Sequence, residues 1–211
     1  MTIPKAVVFD LGKVLVDFDY GIAAGRIAPL GRLLPDQVRS FIDQSPLLYQ
    51  FETGLMTLPQ FFSRICAETG FGGTLDEFTA FFGDIFTPIP DMVELHRGLR
   101  EAGLPTYIFS NTNEIAVGHI RRRFPFFADF SGYILSYRHQ AMKPDARLYE
   151  AVERESRLQG ADLLFLDDRP ENIETGRKRG WQVILHENPA RTLEAVRAAG
   201  LMREQKIRSL S

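Results

Sequence analysis

The chain has 211 residues, 25 basic and 27 acidic, with a formal net charge of −2 and 45% hydrophobic side chains. That length buries one good core and a small accessory unit, not two large domains, and charge so well mixed gives no electrostatic case for nucleic acid or an acidic membrane face. One cysteine, Cys66, excludes an internal disulfide, Met1-Thr2-Ile3-Pro4 carries no signal pattern, and no apolar stretch could span a bilayer, so a cytoplasmic protein that handles small molecules is expected.

Ala6, Val7, Val8 and Phe9 form an apolar, β-branched run that predicts a buried strand, and Asp10 closes it. From about residue 20 to residue 86 the pattern turns helical. Gln37, Val38, Phe41 and Ile42 fall at helical spacing, as do Leu58, Phe61, Phe62, Ile65 and Cys66, then Leu75, Phe78, Phe81 and Phe82. Breaks at Gly31, Pro35, Pro46, Gly54, the Gly70 to Gly73 run and Pro88-Ile89-Pro90 punctuate this insert. Beyond it, strands are predicted near 105–110, 132–136, 162–167 and 182–186, and helices near 91–102, 113–123, 145–157, 171–179 and 190–207. Alternating strands and helices imply an α/β fold, a parallel sheet covered on both faces.

In such sheets ligands bind beyond the carboxyl ends of the strands. Four polar signals lie at or between those ends: Asp10, Ser110-Asn111-Thr112-Asn113, Lys143 beside Pro144, and Asp167-Asp168. Alone, Asp10 fits a turn former as well as a nucleophile, Ser110 fits a helix cap and Asn172 a turn residue. Together the four supply a carboxylate nucleophile, hydroxyl and amide donors, a cation and an acidic pair. His96, His119, His139 and His186 have no metal-ligand spacing and are expected at the surface or in packing. Arg121-Arg122-Arg123 is expected as a solvated helix end.

These motifs resemble those of the haloacid dehalogenase-like hydrolase superfamily over nearly the whole chain. Phe9-Asp10-Leu11-Gly12, Ser110-Asn111-Thr112-Asn113, Met142-Lys143-Pro144-Asp145-Ala146-Arg147-Leu148-Tyr149 and Asp167-Asp168 with Glu171-Asn172-Ile173 are similar to its α-D-glucose-1-phosphate phosphatase branch. The resemblance implies a Rossmann-like three-layer core from 1–19 and 87–211, and a helical cap from 20–86 hinged at Asp17, Phe18, Asp19 and Pro88-Ile89-Pro90. It implies a magnesium-dependent phosphatase acting on a small phosphorylated metabolite, such as a sugar phosphate of the glucose 1-phosphate kind. Asp10 would form an aspartyl-phosphate, and Asp10, the Gly12 carbonyl and Asp168 would hold Mg2+. Ser110, Asn111 and Lys143 would bind the phosphoryl group, with Asp167 and Asn172 supporting them. The segment Gln50-Phe51-Glu52-Thr53-Gly54 resembles part of the same cap, without an implied role.

Gly12 is the departure, because most phosphatases of the superfamily carry a second aspartate there as general acid and base. Without it, substrates with stable leaving groups are expected to be favoured: aryl, acyl or anomeric phosphates. Lys13 could supply a proton or a substrate contact, and Arg169 could reach the substrate. Two other functions remain open at this stage, 2-haloacid dehalogenation and a catalytically weak binding or regulatory module. Asp167-Asp168 argues against the first, since a halide leaving group needs no metal.

Overall fold

The computed structural model describes residues 2–201. In chain order it contains β1 (Ala6–Phe9), β2 (Val16–Phe18), α1 (Tyr20–Ile27), α2 (Pro35–Ile42), α3 (Pro46–Glu52), α4 (Leu58–Thr69), α5 (Leu75–Gly83) and β3 (Phe86–Pro88). There follow α6 (Pro90–Glu101), β4 (Thr106–Ser110), α7 (Glu114–Arg123), β5 (Gly132–Leu135), α8 (Ser136–His139) and α9 (Ala146–Ser156). The described chain closes with β6 (Leu163–Asp167), α10 (Pro170–Lys178), β7 (Gln182–Leu185) and α11 (Pro189–Ala198). Several prolines that look like breaks in sequence are helix starts: Pro35, Pro46, Pro90, Pro170 and Pro189 each occupy the first helical position. There the missing N–H costs nothing and the fixed φ suits the helix.

Five parallel strands form one sheet in the order β5-β4-β1-β6-β7. The chain leaves β1 for one side of the sheet and later returns to the other. Crossovers therefore diverge at the carboxyl end of β1, and a crevice opens beside Asp10. Strand alternation sends Val7, Phe9, Ile108, Leu164 and Leu166 to one face, against Met92, Leu95 and Leu99 of α6, Val117 and Ile120 of α7 and Val196 of α11. Val8, Tyr107, Phe109, Ile134 and Phe165 face the other side, against Leu148, Tyr149 and Val152 of α9 and Ile173 of α10. A three-layer α/β architecture with both sheet faces covered follows directly.

The five helices between β2 and β3 carry their own apolar cluster, built on Ile27, Val38, Ile42, Phe51, Phe61, Ile65, Phe78 and Phe82. Phe51 and Phe61 stack with centroids 4.3 Å apart, and wholly burying each such ring contributes about 1.5–3 kcal/mol. Two structures tie this unit to the sheet. At its root, β2 and β3 pair antiparallel in a short ribbon, with Phe18 opposite Phe86 and Val16 opposite Pro88; of the residues expected as hinges, Asp17, Phe18 and Pro88 lie in it, while Asp19, Ile89 and Pro90 begin the flanking helices. At the far side, the Ser136 hydroxyl donates to the Glu52 carbonyl at 2.6 Å and accepts from the Thr112 N–H at 2.8 Å.

One predicted boundary is corrected. The last helix stops at Ala198, because Gly200 takes φ +82 and the N–H groups of Gly200 and Leu201 return to Arg197 and Val196. This is a Schellman turn, which satisfies the terminal carbonyls and ends the helix; residues 202–207 of that expectation lie outside the described residues. Among the described residues, no helix is long and apolar enough to cross a membrane.

Gly54, with φ +69, closes the turn after α3, and a Cβ there would stand 2.1 Å from the Tyr137 carbonyl oxygen. Gly54→Ala is expected to destabilise the fold by more than about 1–2 kcal/mol, since the left-handed penalty adds to a backbone clash. A urea denaturation midpoint, compared with wild type at unchanged m-value, measures it.

Candidate active site

Lys143 organises the crevice. Its ammonium, 1% exposed, lies 2.9 Å from Asp10 Oδ1 and 2.6 Å from Asp167 Oδ2, and it donates to the Phe109 carbonyl at 2.8 Å. All three of its donors are thus used. Burial alone would lower the pKa of this lysine, but Asp10 and Asp167 outweigh it and raise it above the ordinary range. The Asn111 side chain brackets the same residue, accepting from the Lys143 N–H at 2.7 Å and donating to its carbonyl at 3.0 Å. Both ends of the Asn111 side-chain amide thus hold the lysine backbone.

Asp10 directly follows β1. Its Oδ1 accepts from the Leu11 N–H at 2.7 Å and contacts Lys143, while no hydrogen bond among the described residues reaches Oδ2. Burial lifts the Asp10 carboxyl to about 7, Lys143 opposes the rise, and Asp167 and Asp168 add to it. Asp167 is fully buried and committed within the protein. Beyond Lys143 it accepts from the Arg169 N–H at 2.8 Å and from Asn172 Nδ2 at 2.9 and 3.1 Å. Asp168 stands partly open to the crevice, its pKa raised by burial and by Asp167, with Lys143 opposing.

Asp10, Asp167 and Asp168 each offer an oxygen within 4.8 Å of the others. One ammonium against three carboxylates leaves negative charge in excess, the donors are all oxygen, and Asn172 Oδ1 is buried with no partner among the described residues. Hard oxygen donors with surplus negative charge suit a small divalent cation. Asp10 and Asp168 could hold it, with the adjacent Gly12 carbonyl, since Asp167 is already saturated.

Ser110 ends β4, 2% exposed, its hydroxyl 3.3 Å from the Asn111 carbonyl. Helix α7 takes its cap from Asn113 rather than Ser110, through a 3.0 Å bond from the Ala116 N–H. Gly12 has a local packing reason: a Cβ there would sit 2.9 Å from the Phe18 ring. Lys13 pairs with Asp17, donates to the Phe18 carbonyl at 3.0 Å and lies over the Phe18 ring. Arg169 pairs with Glu171 at 2.5 Å. His96 is buried against Phe130 and His186 bonds Thr192, both in packing roles.

Asp10, Gly12, Asn111, Lys143 and Asp168 line the floor of a cavity of about 410 Å3, Ser110 and Asp167 lying behind that lining, and much of the remaining wall comes from the helical insert, including Tyr20, Asp43, Ser45, Leu48 and Glu52. Sequence reasoning gave these insert residues no role, because they come from three separate segments with no shared spacing. Only the Gln50 to Gly54 resemblance touched one of them. Burial pushes the Glu52 carboxyl up to about 7, against the lowering effect of Asn113 and Tyr20.

A family model described as haloacid dehalogenase-like hydrolase matches residues 4–180. D-ribitol-5-phosphate phosphatase of Bacteroides thetaiotaomicron is 26% identical over 198 residues, covering 88% of this chain and 93% of its own. A crystallised HAD family enzyme of the same species, in complex with magnesium and inorganic phosphate, aligns at TM-score 0.77 and 22% identity over 88% of this chain and 96% of that one. L-2-haloacid dehalogenase from Xanthobacter autotrophicus aligns at TM-score 0.61 and 22% identity over 96% and 90%. The last two are likenesses of fold, which phosphate and halide chemistry share.

Asp10 also links stability to pH. Its folded pKa of about 7 exceeds the usual 3.8, so its contribution is present below the unfolded value and is lost as pH rises through the folded one. In chelator, the melting temperature is expected to fall between about pH 5 and about pH 8, and magnesium to restore it mainly at the higher pH, where no proton competes. Differential scanning fluorimetry across that range checks both.

Proposed function

The chain belongs to the haloacid dehalogenase-like hydrolases, and on that premise we propose that it is a magnesium-dependent phosphatase of small phosphorylated metabolites, working through an aspartyl-phosphate on Asp10. The observation that carries this is the buried Lys143 ammonium bridging Asp10 and Asp167 beside Asp168. It is an arrangement for holding a carboxylate against an incoming dianion. In this reading Asp10 Oδ2, the oxygen without a protein partner, attacks phosphorus. Lys143 neutralises charge developing on the transferring group. Ser110 and the main chain of Asn111 hold phosphoryl oxygens, and the Asn111 side chain fixes Lys143. Asp167 and Asn172 keep Lys143 and the acidic loop in register. Magnesium, held by Asp10, the Gly12 carbonyl and Asp168, would screen the substrate's charge from the nucleophile.

Residues 1–19 and 87–211 serve as the catalytic core and 20–86 as a cap over it, which supports exclusion of water from the site. Substrate choice then rests with the cap wall. Asp43, Ser45, Tyr20 and Tyr49 line it with hydrogen-bonding groups, which favours a polyhydroxylated organic part, a sugar or polyol phosphate. Glucose 1-phosphate and the ribitol 5-phosphate of the relative from Bacteroides thetaiotaomicron are the first compounds to try. The acidic cluster weighs against dehalogenation, since it is suited to hold a cation and halide departure needs no metal.

A panel of phosphorylated metabolites, read as kcat/KM with and without magnesium, tests the proposal. Turnover should need the metal, and Asp10→Asn should lose at least about a thousandfold while remaining folded. Phosphatase rates unchanged by that substitution, or metal-independent halide release from 2-haloacids, would contradict it. Mass spectrometry excludes reversion of the amide.

A further inference from the structure

The chemistry above leaves one acid of the cavity unused. Glu52 ends α3, and the backbone around it is fastened to the sheet-bearing part of the chain. Its carbonyl accepts from Ser136, and Gly54 two residues on packs so closely on Tyr137 that no side chain fits between them. Glu52 lines the same cavity as Asp10, Gly12, Lys143 and Asp168. Displacement at phosphorus requires the leaving oxygen to depart opposite the attacking one. With Asp10 on the floor, that oxygen faces the wall supplied by the helical insert.

We propose that Glu52 is the general acid of the first half-reaction and the general base of the second, the role for which Gly12 provides no side chain. The assignment rests on the phosphatase reading. In the first step the bond from Asp10 to phosphorus forms, the bond from phosphorus to the leaving oxygen breaks, and that oxygen takes the Glu52 proton and departs as an alcohol. In the second a water oxygen bonds to phosphorus, the Asp10 bond breaks, Glu52 takes the water proton, and phosphate leaves. Both residues return to their starting state.

The surroundings suit this duty. Burial holds the Glu52 carboxyl at about 7, the neighbouring Asn113 amide and Tyr20 hydroxyl and the Arg169 charge oppose it, and Asp43 adds to it. A group so poised gives and retakes a proton near neutrality. Tyr20 does not compete, since burial keeps its hydroxyl well above the ordinary tyrosine range. Lys13 is paired with Asp17 and laid on Phe18. Glu52 also lifts the restriction expected from Gly12, so unactivated alkyl phosphates such as polyol phosphates become accessible substrates.

The experiment compares Glu52→Gln with wild type, in magnesium, on p-nitrophenyl phosphate and on ribitol 5-phosphate. The phenolate leaves without help and the alkoxide does not. Expected in kcat/KM is a loss of about 10²- to 10⁴-fold on the alkyl ester, with the aryl ester within a few-fold of wild type. That retained aryl activity also shows the variant is folded. The wild-type alkyl profile should fall on the alkaline side near neutrality, and this limb should vanish in the variant. Equal losses on both esters, a change in KM alone, or an unaltered alkaline limb would overturn the assignment while leaving the phosphatase reading intact. A wild-type enzyme inactive on both esters and on the whole metabolite panel would overturn the two together.

Discussion

The buried ammonium of Lys143 is the constraint on which the site depends. Removing a lysine and two aspartates from water costs several kcal/mol per ion, recovered only if every donor and acceptor is met at good geometry. Here the partners come from separate places: Asp10 after β1, the Phe109 carbonyl within β4, Asp167 at the end of β6, and Asn111 gripping the lysine backbone. The pairing thus also fixes the register of the three central strand ends. Burial, with the neighbouring carboxylates adding to it, raises the Asp10 and Asp168 pKa values, and the excess negative charge suits the crevice to a divalent cation.

A second constraint is the fastening of the helical insert. The ribbon of β2 and β3 holds it at the root, and the contacts of Glu52 and Gly54 with Ser136 and Tyr137 hold it at the opposite side. Between those points the insert lines the cavity with hydrogen-bonding side chains. Phe18 belongs to the first fastening and occupies the space that a side chain at position 12 would need. The absence of a carboxylate there is therefore part of how the root of the insert packs, and in the proposed mechanism the proton comes from elsewhere.

Much of this was legible in the sequence wherever the information is local. Apolar β-branched runs mark buried strands, and Asp10, Ser110 and Asp167 end such runs, so their gathering at one sheet edge follows from the parallel topology. Lys143 stood out as the one cation among the polar signals at or between the strand ends. What escaped was non-local or fine-grained. The grip of the Asn111 side chain on the Lys143 backbone left no pattern, because it spans 32 residues. Strands β2 and β3 are three residues each, one ending in proline, too short for periodicity to register. The final helix overran because Gly200, its stop, sits inside an otherwise helical stretch. Glu52 had no signal of its own, since its burial comes from pairing the insert with the sheet edge.

The central claim is that Asp10, held by Lys143, is phosphorylated during turnover. The stereochemical course at phosphorus tests it most directly, using a substrate made chiral with sulfur and oxygen isotopes. Two successive in-line displacements, on and off Asp10, predict retention of configuration; inversion would mean that water attacks the substrate directly and would contradict the account.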